Sequence, residues 1–248
     1  MTNKNILMSF FLFCILFSFT VEIDKESIKG YFKAFLQKKV PNRVILDAIT
    51  AIRYLTPAIY PGNLEHNIEA FPNHLFQIKW HKGFIEDQSN FYDMKYGQKT
   101  IDSGGCVVIA AYNALYDLTG EEYIDFPAMI DYFEKNGILL YGEIGTAPQS
   151  VEEYFNDLGF KTKSSFKREE YTNIADNYDT FVLTKFNDID DIYQCIHTSS
   201  ITKKDGKFYI HNNSYYGYNI QYNSIEDLLN RIDGGKAKDI VLLGIKKK

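Results

Sequence analysis

The chain of 248 residues is poor in the features that would fix its function at a glance. It has three cysteines, Cys14, Cys106 and Cys195, too few for a disulfide framework to hold a chain of this size. It has no excess of positive charge: 27 Lys and Arg against 32 Asp and Glu give a net charge of −5. That balance argues against nucleic acid as a partner, because phosphate binding needs clustered cations. The closing Lys246-Lys247-Lys248 is short and reads as a solvated tail. There is no internal repeat and no low-complexity tract. The histidines His66, His74 and His81 are scattered without metal-ligand spacing, so no metal is assigned. Asp188, Asp190 and Asp191 lack the glycine and closing glutamate of a calcium loop. Gly142-Glu143-Ile144-Gly145 has no lysine and no Gly-x-Gly-x-x-Gly pattern, so no phosphate loop and no cofactor is expected.

Aromatic residues are plentiful, with 19 Tyr and 19 Phe but a single tryptophan, Trp80, which reads as a packing residue. Apolar residues at 45% suffice for one medium domain with an N-terminal extension. One apolar stretch stands apart. Residues 6–21 are apolar except for Ser9, Ser18 and Thr20; Lys4 precedes them and Glu22, Asp24 and Glu26 follow. A positive start, an apolar run and an acidic exit read as a secretory signal or an anchor. The expected location is extracellular, or membrane-anchored facing outside. The expected domains are a signal peptide or anchor over 1–21, a helical and irregular extension over 22–90, and a catalytic domain over 91–248. In the extension, helices are expected over 25–38 and 43–55, the latter from the spacing of Val44, Ile45, Ala48, Ile49, Ile52 and Leu55. Pro57, Pro61-Gly62 and Pro72 mark irregular chain up to about Asp93.

Chemistry concentrates at Gly104-Gly105-Cys106, which opens the apolar run Val107 to Leu115. The pattern predicts a buried helix over 106–116 with the cysteine in its first turn. Unpaired N–H groups and a partial positive charge at a helix start favour thiolate, the nucleophilic form. A buried structural cysteine is the plainer alternative. About ninety residues on, Tyr193 to Thr202 reads as a strand, Lys203-Lys204-Asp205-Gly206 as a tight turn and Lys207 to Asn213 as the returning strand. This hairpin brings Asn212 or Asn213 back beside His197. A two-residue turn pairs Lys204 with Lys207 and leaves Asn212 diagonal to His197 on one sheet face; a three-residue loop sets Asn213 opposite instead. His211, alternating with Asn212, then points away and reads as a surface or core histidine. Cys195 shares a face with His197; it reads as a packing residue or as a thiol able to pair with Cys106 on oxidation. Helices over 126–136 and 224–232, a capping box at Ser150-Val151-Glu152-Glu153, and strands over 180–186 and 240–245 complete an α+β pattern.

Cysteine at a helix start, then histidine and asparagine on adjacent strands, resembles the papain-like cysteine peptidase superfamily. The short spacing, the Asp205 to Asn212 hairpin, and Tyr96-Gly97-Gln98 followed by Gly105-Cys106 and Ala110 to Leu115 are similar to its bacterial branch of bacteriocin-leader peptidases. The resemblance spans roughly Tyr96 to Ile245. It implies a papain-like fold, with an N-terminal nucleophile helix packed on a C-terminal antiparallel sheet and a helical extension before it. It implies Cys106 as nucleophile, His197 as general base and acid, and Asn212 as orienting residue, with a peptide or protein as substrate. Gln98 is the candidate oxyanion donor, although it lies eight positions before Cys106. Gly105 and Val107 depart from the Asp and Gly that flank the cysteine in leader peptidases, so double-glycine leader specificity is not expected. A non-catalytic papain-like domain binding peptides or cell-surface ligands, or an amidase or acyltransferase on the same fold, would share the pattern.

Overall fold

A computed structural model describes residues 42–53, 60–120, 124–143, 145–186, 196–213, 220–233 and 238–248. The apolar run 6–21, the expected helix 25–38, Cys14, Cys195 and the aspartates 188–191 lie outside the described residues. Among those described, no helix is long and apolar enough to cross a membrane.

The architecture is α+β, built on a six-stranded antiparallel sheet. Helix α1 (Asn42–Arg53) is followed by α2 (Asn63–Ala70), a 3-10 turn (Phe71–His74), α3 (Leu75–Trp80) and a second 3-10 turn (Gln88–Phe91). A small hairpin, β1 (Lys95–Tyr96) and β2 (Lys99–Thr100), leads into the short α4 (Ile101–Gly104) and then α5 (Cys106–Thr119). Next come α6 (Phe126–Asn136), α7 (Gln149–Asp157), β3 (Lys161–Ser165), α8 (Tyr171–Asn177), β4 (Thr180–Phe186), β5 (Ile196–Lys204), β6 (Lys207–His211), β7 (Gln221–Tyr222), α9 (Ile225–Asp233) and β8 (Lys238–Lys246). The large sheet has the order β3-β8-β4-β5-β6-β7.

The chain before Asp93 is more regular than its prolines suggest. Gly62 takes a left-handed conformation, φ 86°, ahead of α2, and Pro72 opens a 3-10 turn. A proline in the first turn loses no intrahelical bond, so it starts helices as readily as it stops them. Ala70, Ile78 and Ile85 from this region join the same apolar cluster as α5 and α6. The capping box expected at Ser150 is not formed. The helix begins at Gln149 after Pro148, without a side-chain cap, and Ser150 Oγ donates to Ala147 O at 2.6 Å. Glu153, which would close the box, instead pairs with Arg53 of α1 at 2.8 Å, and Glu152 accepts from Thr162 and Ser164 on β3.

Side chains alternate between the two faces of the sheet. Val182 on β4 and Leu243 and Ile245 on β8 pack with α5, α6, α2 and α3. Phe181, Leu183, Ile201, Phe208, Ile210 and Leu242 pack on the other face with α8 and α9. Helix α5 lies against β4 and β5 and is buried almost all round over Cys106–Ala114, which explains its apolar composition. It ends at Gly120, φ 66°, whose N–H caps Tyr116 O.

Candidate functional site

Cys106 is the first residue of α5 and is 9% exposed. A Cβ on the preceding Gly105 would come within 2.7–2.8 Å of Ile101, so the sharp step from α4 into α5 requires glycine. Burial pushes the Cys106 thiol above its ordinary value, and it outweighs four groups that favour thiolate: the backbone and hydroxyl of Thr198 and the N–H groups of Val107 and Cys106. The helix start therefore acts as expected but loses to desolvation, and the resting form is the thiol.

The residue of β5 that meets Cys106 is Thr198. Its hydroxyl is also 3.0 Å from that of Thr184, a neighbour of Val182 on the face that carries α5. Alternation turns His197 to the opposite face, in line with its cross-strand partner Lys185 and with Leu183 and Ile201. The structure thus places Cys106 and His197 near one short stretch of strand but on different faces of the sheet.

His197 has a defined partner. Its Nε2 lies 2.5 Å from the backbone carbonyl of Asn212. Burial pushes the imidazole down to about 4, the nearby Lys185 adds to this, and the bond to Asn212 opposes it. The ring is neutral at pH 7. A carbonyl only accepts, so the ring proton sits on Nε2 and the lone pair on Nδ1.

The hairpin register follows the two-residue alternative. Lys204 pairs with Lys207, and Asp205 and Gly206 have φ 52° and 71°. Asn212 falls just past β6 with φ 55°, so the ladder ends there and the backbone carbonyl, not the side-chain amide, reaches His197. The amide is taken by Gln88: the Gln88 N–H donates to Asn212 Oδ1 and Asn212 Nδ2 donates to Gln88 Oε1, each at 3.1 Å. Asn213 is buried, and among the described residues its Nδ2 has no partner. His211 is a core histidine on the α5 face, 2.7 Å from Glu86 Oε1 through Nδ1, 3.2 Å from Thr202 Oγ1 through Nε2, and stacked on Phe84.

Gln98 is exposed in the turn between β1 and β2, where its backbone N–H donates to Tyr141 O at 2.9 Å. Between it and Cys106, Thr100 and Ser103 form a capping box for α4. The glutamine tied to the histidine's neighbourhood is Gln88, whose Nε2 also donates to Asp102 O at 2.7 Å. Glu86 and Gln88 lie outside every motif read from the sequence; they sit more than a hundred positions from Asn212, and no local pattern marks them. A cavity of about 60 Å³ between α1, α7 and the sheet is lined by Leu46, Gln149, Glu152, Val182 and Val241, and involves none of Cys106, His197 or Asn212. Among the described residues no group of three or more His, Cys, Asp or Glu is placed to hold a metal ion.

No family model matches the chain. No curated protein matches it either. Among solved structures it is similar to the peptidase domain of Streptococcus ComA, a bi-functional ABC transporter involved in a quorum-sensing pathway, with 14% identity, coverage of 58% of this chain and 91% of that one, and a TM-score of 0.38.

Proposed function

We propose that the chain is a papain-like thiol hydrolase that cleaves peptide or amide bonds, exported or anchored outside the membrane through residues 6–21. The observation that carries this reading is geometric: His197 is bound through Nε2 to the Asn212 carbonyl, which leaves Nδ1 as its accepting atom, and it lies one residue from the Thr198 that meets Cys106. In the proposed reaction Nδ1 takes the thiol proton and the thiolate attacks the substrate carbonyl carbon. The oxyanion lies toward the Cys106 N–H at the helix start. The imidazolium then protonates the leaving amine, giving a thioester. Nδ1 next deprotonates water, which attacks the thioester and releases the acid and the thiol. Asn212 orients the ring through its carbonyl, with Asn213 the alternative orienting residue, and Gln98 stands as the candidate oxyanion donor.

This chemistry requires the imidazole to pass from the far face of β5 to the α5 face. The separation favours a second reading, a non-catalytic domain of the same type that binds peptides or cell-surface ligands. The deciding experiment is alkylation of the full chain with limiting iodoacetamide between pH 5 and 9, with Cys106 modification mapped by mass spectrometry. A hydrolase gives labelling near pH 6 faster than an ordinary thiol of pKa about 8.5, and His197→Ala abolishes it. Labelling that rises only at alkaline pH, and equally in His197→Ala, overturns the hydrolase in favour of the binding domain.

A further inference from the structure

Residues 84–88 reach across from α5 to the end of β6, anchored by hydrogen bonds of buried and half-buried polar groups. Asn113 of α5, fully buried, brackets Ile85: its Oδ1 accepts from Ile85 N at 2.7 Å and its Nδ2 donates to Ile85 O at 2.8 Å. Glu86, 6% exposed, accepts from His211 Nδ1 at 2.7 Å and from Asn212 N at 3.2 Å. Gln88 closes a two-bond ring with the Asn212 amide and ties back to Asp102 beside the Cys106 helix. Asn212 is thereby held at φ 55°, a conformation that persists in a non-glycine residue when its surroundings over-determine it. The outcome is a carbonyl aimed at His197 Nε2 at 2.5 Å, which also accepts from Ser199 Oγ at 3.4 Å.

We propose that Glu86 and Gln88 are positioning residues that fix the Nε2–H tautomer of His197 by clamping Asn212. Their hydrogen bonds among the described residues go to His211, Asn212 and Asp102, not to His197 or Cys106. They act through the Asn212 carbonyl, so the ring's basic atom is chosen by a segment more than a hundred residues earlier in the chain. The importance of that choice rests on the reading of His197 as the base; the clamp itself does not.

The test is histidine-selective ¹⁵N NMR of the full chain at pH 7, which distinguishes the two tautomers without any substrate. The unsubstituted chain should show His197 in the Nε2–H form with a slowly exchanging ring proton. Glu86→Gln and Gln88→Ala should each lower the ratio of Nε2–H to Nδ1–H by roughly fivefold, the effect of losing about one hydrogen bond, with the remaining spectrum dispersed. Gln88→Glu, which keeps an acceptor for Asn212 Nδ2, should restore most of the ratio. A folded pair of variants with an unchanged His197 tautomer overturns the proposal. Should the variants not fold, a fast-exchanging or Nδ1-protonated His197 in the unsubstituted chain overturns it as well. A clamped tautomer beside an inert Cys106 would defeat the hydrolase reading alone.

Discussion

The two faces of the central sheet are filled by different chemistry. Toward α8 and α9, β4 and β5 present Phe181, Leu183 and Ile201, all fully buried. Toward α5, the same strands present Val182 and Thr184, then Thr198, Ser200 and Thr202, a row of buried hydroxyls under an apolar helix. The first face stabilises by removing large apolar surface from water. The second stabilises less per residue but offers polar groups to whatever lies at the start of α5. Cys106 belongs to that second face and His197 to the rim of the first. Strand β5 therefore carries His197 and, one residue on, the Thr198 that meets Cys106 of α5, and a single step of its side-chain alternation keeps the candidate pair apart.

The contrast is broken hardest on the apolar face. Phe181→Ala should cost about 3–5 kcal/mol, seen as a lower urea midpoint with an unchanged slope. Next comes pH. Folding lowers the His197 value from 6.5 to about 4, so the unfolded chain binds the proton more tightly. The stability this group supplies is complete above pH 6.5 and is lost as pH falls from there to about 4, a loss of about 3 kcal/mol. Urea unfolding at pH 7, 5.5 and 4 should show that slope, and His197→Gln should flatten this part of it. An identical slope in His197→Gln would mean that His197 is solvated and not buried at the rim.

Much of the frame was legible. Helix α6 and strand β4 fall at the limits predicted, 126–136 and 180–186, because each is a periodic apolar run bounded by strong stop signals. The edge strand β3, Lys-Thr-Lys-Ser-Ser, was not read, since it buries little and shows no apolar alternation. Helices α2 and α3 were hidden by prolines and a glycine that start helical turns here. At the site, the helix-start cysteine and the hairpin were readable from local pattern, while the register stayed open between two alternatives until the fold set it. Which face of β5 meets α5 was not, because that depends on packing between elements ninety residues apart. Glu86 and Gln88 were invisible for the same reason: their partners are set by the fold, not by spacing.

Smaller changes on the hydroxyl face sharpen the comparison. Thr198→Val removes one of the two Thr198 groups that favour the Cys106 thiolate and leaves Thr184 without its hydroxyl partner. It should cost about 1 kcal/mol and shift the pH dependence of Cys106 alkylation upward relative to the unsubstituted chain, measured by rate against pH.

The smallest effect is expected two residues along the same face. Ser200 is fully buried, and among the described residues its Oγ has no hydrogen-bond partner. A buried hydroxyl without a partner loses its hydration and receives nothing in return, so removing it removes a cost. The cavity left by one oxygen is small, and the buried stretch of α5 that packs on this face is almost entirely apolar. Ser200→Ala should therefore leave stability unchanged or raise it by up to about 1 kcal/mol, while Ile201→Ala, its neighbour on the other face, costs about 2–5 kcal/mol. Urea midpoints of the two variants, measured side by side, test the asymmetry of the sheet within one dipeptide. A Ser200→Ala loss as large as that of Ile201→Ala would show that the hydroxyl face is held by a hydrogen-bonded network and not by contact alone.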